Sequence, residues 1–335
     1  MCRRIGIFRH IFGVSMLLLF VAFGASCGDS KTHEPLSYRL SREGYSPSTN
    51  TFLLAIHADF GELQKHTILA TYNKEKRLLK HLFPISPGPF DFAWAPGQAA
   101  FVVTHSDRMT LFRKDISGLS YRGTAIRCPV DFSYTFCSWN PKGEWLAVNC
   151  FDLRKPSGHR LGMYKLKEEK FVISDIVIDH RPLVWKNDAT LYASNGDSVV
   201  EVKLVSGAPR LVRTIPIEKG ALFFYDIFDD HALVQKNKNI KLGTKTLVEL
   251  DRDRRYGVIT TKTTIFVSAS STNLVVFDHK GREIDRTNPK STIRLGSIGK
   301  DPNTVYGLSD SSLLRICVED GGLNIQEVCE LANFK

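Results

Sequence analysis

His57-Ala58-Asp59 and His105-Ser106-Asp107 place an imidazole and a carboxylate two residues apart, twice, at equivalent points along the chain. The carboxylate recurs alone at Asp152 and Asp197, and Asn239, Ser271 and Ser311 follow in the same phase. Imidazole with carboxylate is the kit for metal ligation or general acid–base chemistry, but either use requires the groups to converge on one point. A second chemical pattern is Gly24-Ala25-Ser26-Cys27-Gly28, which fits the Gly-x-Ser-x-Gly nucleophile motif. It lacks the strand-turn-helix setting that exposes such a serine. No Cys-x-x-Cys or His-x-x-x-His spacing occurs, so neither a metal site nor a cofactor is predicted.

The elements that carry these groups are legible from the same phase. Each polar position stands six residues after an apolar residue, in order Leu53, Phe101, Leu146, Leu191, Leu233, Ile265 and Val305, with gaps of 48, 45, 45, 42, 32 and 40 residues. A polar turn and a second alternating run follow each, as in Val199-Val200-Glu201-Val202-Lys203-Leu204. Such alternation marks a half-buried strand. Hairpin signals close several runs, at Ser206-Gly207, Lys280-Gly281 and Gly321-Gly322. Three tryptophans, Trp94, Trp139 and Trp185, open turns 45 and 46 residues apart. A strand-and-turn unit of about 40 to 50 residues cannot bury both its faces alone and must pack on copies of itself, the logic of a propeller. The prediction is an all-β chain forming a single β-propeller, with seven four-stranded blades. Six or eight blades are fallback counts because the fifth gap is short, and another all-β sandwich or barrel is the alternative architecture.

In a propeller, equivalent turns lie in a ring around the axis, each on its own blade. The two His-x-Asp pairs are therefore not expected to meet. Asp, Asn and Ser at that phase are expected to close hairpin turns by accepting from backbone amides two residues on. The tryptophans are expected to fill the wedge between neighbouring blades.

The turn Trp139-Asn140-Pro141-Lys142-Gly143, with variants beginning at Trp94 and Trp185, resembles the repeat of TolB-type propellers, a periplasmic branch of the wider WD-repeat-like class. The resemblance covers three blades by motif and the rest by spacing, and it implies an extracytoplasmic propeller. The stretch between Cys27 and the first blade leaves no room for the extra N-terminal domain of TolB, so TolB's partner contacts are not carried over.

The N-terminus points the same way. Arg3, Arg4 and Arg9 precede an apolar run over 11–23, too short to span a bilayer comfortably, and small residues then lead to Cys27. Gly24-Ala25-Ser26-Cys27 resembles a bacterial lipobox, in which the cysteine is acylated and becomes the first mature residue. Gly28, in place of the aspartate that retains enteric lipoproteins in the inner membrane, favours the outer membrane, facing the periplasm. The alternative is a plain signal peptide or an uncleaved anchor. The expected organisation is a lipoprotein signal peptide over 1–26, a polar tether over 27–50 and the propeller over 51–335.

Composition agrees with an exported folded protein: 335 residues, 43% hydrophobic, suffice for one closed propeller. The formal charge of +10 falls to +7 without the three leader arginines, and no dense Lys/Arg tract accompanies it, which excludes nucleic acid as the natural partner. Of seven cysteines, five remain after Cys2 and Cys27. Cys128 and Cys150 are the candidate disulfide, Cys137 is a buried thiol, and Cys317 and Cys329 are out of register for a cross-strand bridge.

The connections between blades carry the surplus of positive charge. Arg122, Arg127, His180, Arg181, Arg252, Arg254 and Arg255 are the candidate partner-binding rim, suited to an acidic protein or anionic glycan. The sequence thus favours a lipid-anchored binding scaffold of the cell envelope. The alternative is an envelope enzyme of lactonase or glycan-cleaving type with its site in the axial funnel, recognisable by carboxylates or Asn side chains converging on the axis, where a binder would show Arg and apolar groups.

Overall fold

Leu53, Phe101, Leu146, Leu191, Leu233, Ile265 and Val305 each lie in the second strand of a four-stranded sheet, and none is more than 1% exposed. The computed structural model describes residues 37–330 apart from 47–48, 60–64, 76–77, 86–89, 98, 106, 115–120, 130, 156–157, 180–181, 252–256, 271–272, 290, 302 and 310. It contains seven antiparallel sheets, each a meander of four consecutive strands: blades 1 to 7 of a single β-propeller. The seven-blade count and the all-β class are as the repeat predicts.

Burial explains why the second strands were legible. They are sandwiched between neighbouring blades, so Ala100–His105 is buried at every position but its last, and Thr304–Leu308 throughout. The outermost strands border solvent: Ala208–Pro216 buries only Ile215. Seven apolar clusters form among the described residues, and each straddles one seam between adjacent blades. No blade has a self-sufficient core. At about 1.5–3 kcal/mol for each fully buried large apolar side chain, the stability of every blade depends on its neighbours.

Closure of the ring is also a packing event. Both blade 1 and blade 7 are built from four consecutive strands, with no strand exchanged between them. Their seam is an aromatic cluster in which Tyr306 lies 4.7 Å, centroid to centroid, from both Tyr45 and Phe52.

Part of the segment expected as a tether over 27–50 is strand. Ser37–Ser46 is the innermost strand of blade 1, paired antiparallel with Thr51–Asp59. Its sequence, SYRLSREGYS, reads as linker because an irregularity between Leu40 and Arg42 breaks the alternation. Residues 1–36, with the predicted signal peptide and Cys27, lie outside the described residues.

Blade 5 accounts for the short fifth gap. Its third and fourth strands, Asn239–Leu242 and Lys245–Glu249, have only 4 and 5 residues. Where blades 2 to 4 have a tryptophan turn, blade 5 has the tight pair Asp229-Asp230, both in the left-handed region (φ 46° and 64°) that suits a two-residue hairpin.

The tryptophans do more than fill wedges. Trp94 Nε1 donates to Gly44 O (2.9 Å), Trp139 Nε1 to Ala93 O (3.1 Å) and Trp185 Nε1 to Ser138 O (2.9 Å). Each indole thus ties the end of one innermost strand to the innermost strand of the preceding blade. In blade 6, Thr260 provides an analogous link, its hydroxyl donating to Asp226 Oδ2 of blade 5 at 2.6 Å.

Candidate functional site

The innermost strands surround the axis, and their sequences set what the axis offers. Phe132–Trp139, Leu183–Trp185, Phe223–Phe228 and Val258–Thr260 are rich in aromatic and β-branched residues. Between them lies a cavity of about 870 Å³, walled by Phe136, Trp139, Trp185, Phe224, Tyr225, Phe228, Ile259 and Leu295, with Asp91 and Asp226 among them. Such an apolar concavity with a few polar groups is the form small-molecule sites take.

Irregular pairing helps to line the cavity. Register shifts leave Phe136, Tyr225 and Gly296 as extra residues in the innermost strands of blades 3, 5 and 7, and all three border the cavity. An extra residue moves the alternation by one place and re-aims every later side chain of its strand. In blade 5, Phe224 and Ile227, three apart, therefore share the seam with blade 4, while Tyr225 and Phe228 pack toward blade 6. Asp226 is left facing Thr260 and the axis.

The two axial carboxylates are differently held. Asp91 Oδ1 accepts from Phe92 N (3.0 Å) and Oδ2 from Cys137 N (3.2 Å), so this group sews blade 2 to the irregular strand of blade 3. Asp226 Oδ1 accepts from Ile227 N (2.8 Å), and its Oδ2 takes the Thr260 hydroxyl. Burial pushes the Asp226 carboxyl above the usual carboxylate range, against the pull of these two donors and of the positive charge of His279 and Lys186. Among the described residues Asp226 has no ion pair. The carboxylates belong to blades 2 and 5, with two whole blades between them.

Lys186, Lys262 and His279 border the same cavity. They come from turns that follow the innermost strand or join the third strand to the fourth; in an antiparallel meander both kinds of turn share the face opposite the inter-blade connections. Lys186 Nζ is 3.2 Å from the Tyr192 hydroxyl. His279 stacks on Phe228 with centroids 4.1 Å apart, and its Nε2 is 3.1 Å from Thr261 O.

The predicted sites fall elsewhere. Arg122 stands in the outermost strand of blade 2, Tyr121–Ile126, opposite Arg113, and so is not part of the connection to which the sequence assigned it. The reason is that the alternation of this exposed strand is polar on both sides and reads as loop. Arg127 does lie in the connection and is exposed. His180, Arg181, Arg252, Arg254 and Arg255 lie outside the described residues. Cys128 and Cys150 join one cluster around Tyr134, each as a free thiol, with burial pushing Cys128 up to about 11 and Cys150 higher still. Cys137 is half-buried and borders the axis. Cys317 pairs with Asn324 and Cys329 with Leu313, so these two are out of register as expected.

The His-x-Asp copies sit on separate blades, 1 and 2. His57 Nδ1 is bonded across its own sheet to Thr67 Oγ1 at 2.8 Å. Burial and the Arg108 charge hold His105 below the usual imidazole range. Asp152 closes its own turn, Oδ1 accepting from Arg154 N at 3.0 Å, whereas Asp197 reaches the next connection and accepts from Gly220 N at 3.2 Å. Among the described residues no group of three or more His, Cys, Asp or Glu is placed to hold a metal ion. Sequence reasoning missed Asp91 and Asp226; the signal was a single acid inside an otherwise apolar run, Phe90-Asp91-Phe92 and Tyr225-Asp226-Ile227.

No family model matches this chain, and no curated protein matches it in sequence. Solved structures do resemble it. Kluyveromyces lactis Hsv2 is 10% identical with a TM-score of 0.54, over 88% of this chain and 100% of that one. The Dos1 propeller is 10% identical with a TM-score of 0.53, over 89% and 95%. A Mycobacterium tuberculosis puromycin-hydrolyzing peptidase is 13% identical with a TM-score of 0.57, over 88% of this chain and 53% of that one. At such identities the likeness is one of propeller fold.

Proposed function

We propose that this chain is a binding propeller of the cell envelope, anchored by acylated Cys27 to the outer membrane and facing the periplasm, with TolB-like repeats serving as a scaffold. The axial cavity is its small-ligand site, and the inter-blade face, with Arg127, His180, Arg181, Arg252, Arg254 and Arg255, receives an acidic protein or anionic glycan. One observation carries the choice of binding over catalysis: the axis is walled mainly by aromatic and aliphatic side chains, and of its two carboxylates Asp91 is held by a backbone donor on each oxygen, sewing blade 2 to blade 3.

Two experiments test the reading. Radiolabelled palmitate should enter the protein in a bacterial host, and Cys27→Ser should abolish the label; labelling that survives the change removes the anchor. For the rim, Arg254→Glu with Arg255→Glu should leave the unfolding midpoint nearly unchanged, since surface substitutions cost under about 0.5 kcal/mol. The double variant should lose partners that the wild type captures from envelope extract at low salt and releases at moderate salt, because the attraction is one of exposed charges. The same partners on both proteins at both salt levels would leave this loop as ordinary solvated surface.

A further inference from the structure

The wall of the axial cavity is not electrically neutral in character. Its inner lining holds two carboxylates, and the cations that border it are otherwise engaged or peripheral. Lys186 is bonded to the Tyr192 hydroxyl and lies over that ring, 5.7 Å from its centroid. Lys262 is exposed in the turn that follows its strand. His279 is stacked on Phe228, with Nε2 at Thr261 O. Asp91 has a backbone donor on each oxygen. Asp226 is the group left over. It is half-buried and borders the cavity, has one donor on each oxygen, and is without an ion pair among the described residues.

A carboxylate so placed lacks the direct ion pair that buried acids ordinarily have, and the charges of His279 and Lys186 reach it only from a distance. Each of its oxygens has accepted one hydrogen bond and retains capacity for another. The same cavity is lined by the rings of Phe136, Trp139, Trp185 and Phe228, and aromatic faces attract positive charge as well as apolar surface. We propose that the axial cavity binds a small organic cation, an amine with an aromatic or aliphatic body, whose ammonium group sits on Asp226 while the body packs against these rings. The proposal rests on the reading of the axis as a ligand site.

The direction of the Asp226 shift gives the proposal a second readout. Burial raises the carboxyl, and a bound ammonium would favour its ionised form and lower it again. Amine binding should therefore release a proton from Asp226 and should tighten as pH rises through the titration of that group.

The test uses the detergent-solubilised full chain and two probes of matched shape and opposite charge, 2-phenylethylamine and 3-phenylpropionate, followed by calorimetry in two buffers of different ionisation heat. The amine is expected to bind about tenfold or more tightly than the acid, the worth of one charge-assisted hydrogen bond, with net proton release. Asp226→Asn should remove that preference with the unfolding midpoint little changed. Should that variant fail to fold, proton release by the wild type and its pH dependence still decide. Equal affinity for both probes, or preference for the acid, overturns the cation assignment but leaves the axis as a ligand site governed by Lys186 and Lys262. Binding of neither probe overturns both readings.

Discussion

Gly143→Ala should destabilise the protein by about twice as much as Gly97→Ala or more, although the two glycines lie in corresponding turns. Both adopt left-handed backbone, at φ 68° and 70°, so both alanines carry the conformational cost of about 1–2 kcal/mol. Gly97 faces open space, and a Cβ there would meet nothing within 4 Å. At Gly143 the same atom would lie 2.3 Å from Pro96 O and 3.1 Å from Pro96 N, both in the turn of the preceding blade. Backbone cannot rotate away as a side chain can, so the seam must open, adding about 1–3 kcal/mol for overpacking or more. The turn has little freedom to shift. Asn140 Oδ1 accepts from Glu144 N (2.8 Å) and Trp145 N (3.0 Å), and Asn140 Nδ2 donates to Asp188 O of the next blade at 2.9 Å. Urea unfolding of both variants reads the difference. Equal losses would mean that the two turns do not touch as the structure has them.

Strand position within the blade decides how much of the fold was legible in the sequence. Second strands are buried on both faces by neighbouring blades, so Phe101 or Ile265 stands in a continuous apolar run that survives any local irregularity. Outermost strands border solvent, and Tyr121–Ile126, exposed over four consecutive residues, has no apolar alternation to mark it as a strand, so Arg122 reads as part of the connection. The innermost strands were legible only where a tryptophan marked them. Their irregularities at Phe136 and Tyr225 shift the alternation, so counting by twos along Phe223–Phe228 misassigns every side chain after the shift. That is why Asp226 gave no sign of facing the axis. The turn-closing role expected of the repeated aspartates held at Asp152, whose partners are local in sequence. Asp197 found its donor 23 residues away, at Gly220, a distance that no local pattern encodes.

Trp139→Ala should cost about 3–5 kcal/mol, the usual penalty for emptying a large core site, and a contrast with Trp139→Phe should divide that loss into two parts. The indole is 6% exposed and belongs to the cluster that joins blades 2 and 3, together with Tyr134, Leu146 and Val148. Alanine removes the packing and the hydrogen bond to Ala93 O at once. Phenylalanine keeps most of the apolar contact and removes the donor, leaving a carbonyl of the neighbouring blade without its indole partner, for about 1–3 kcal/mol. Trp185 makes the same kind of bond, to Ser138 O, but is only half-buried, so Trp185→Ala should fall below Trp139→Ala while Trp185→Phe loses a comparable hydrogen bond. If both phenylalanine variants unfold at the wild-type midpoint, the indole bonds between innermost strands contribute nothing and the tryptophans act by volume alone. If Trp139→Ala is itself neutral, the seam between blades 2 and 3 is not where the structure places it, and the axial wall that includes Trp139 falls with it.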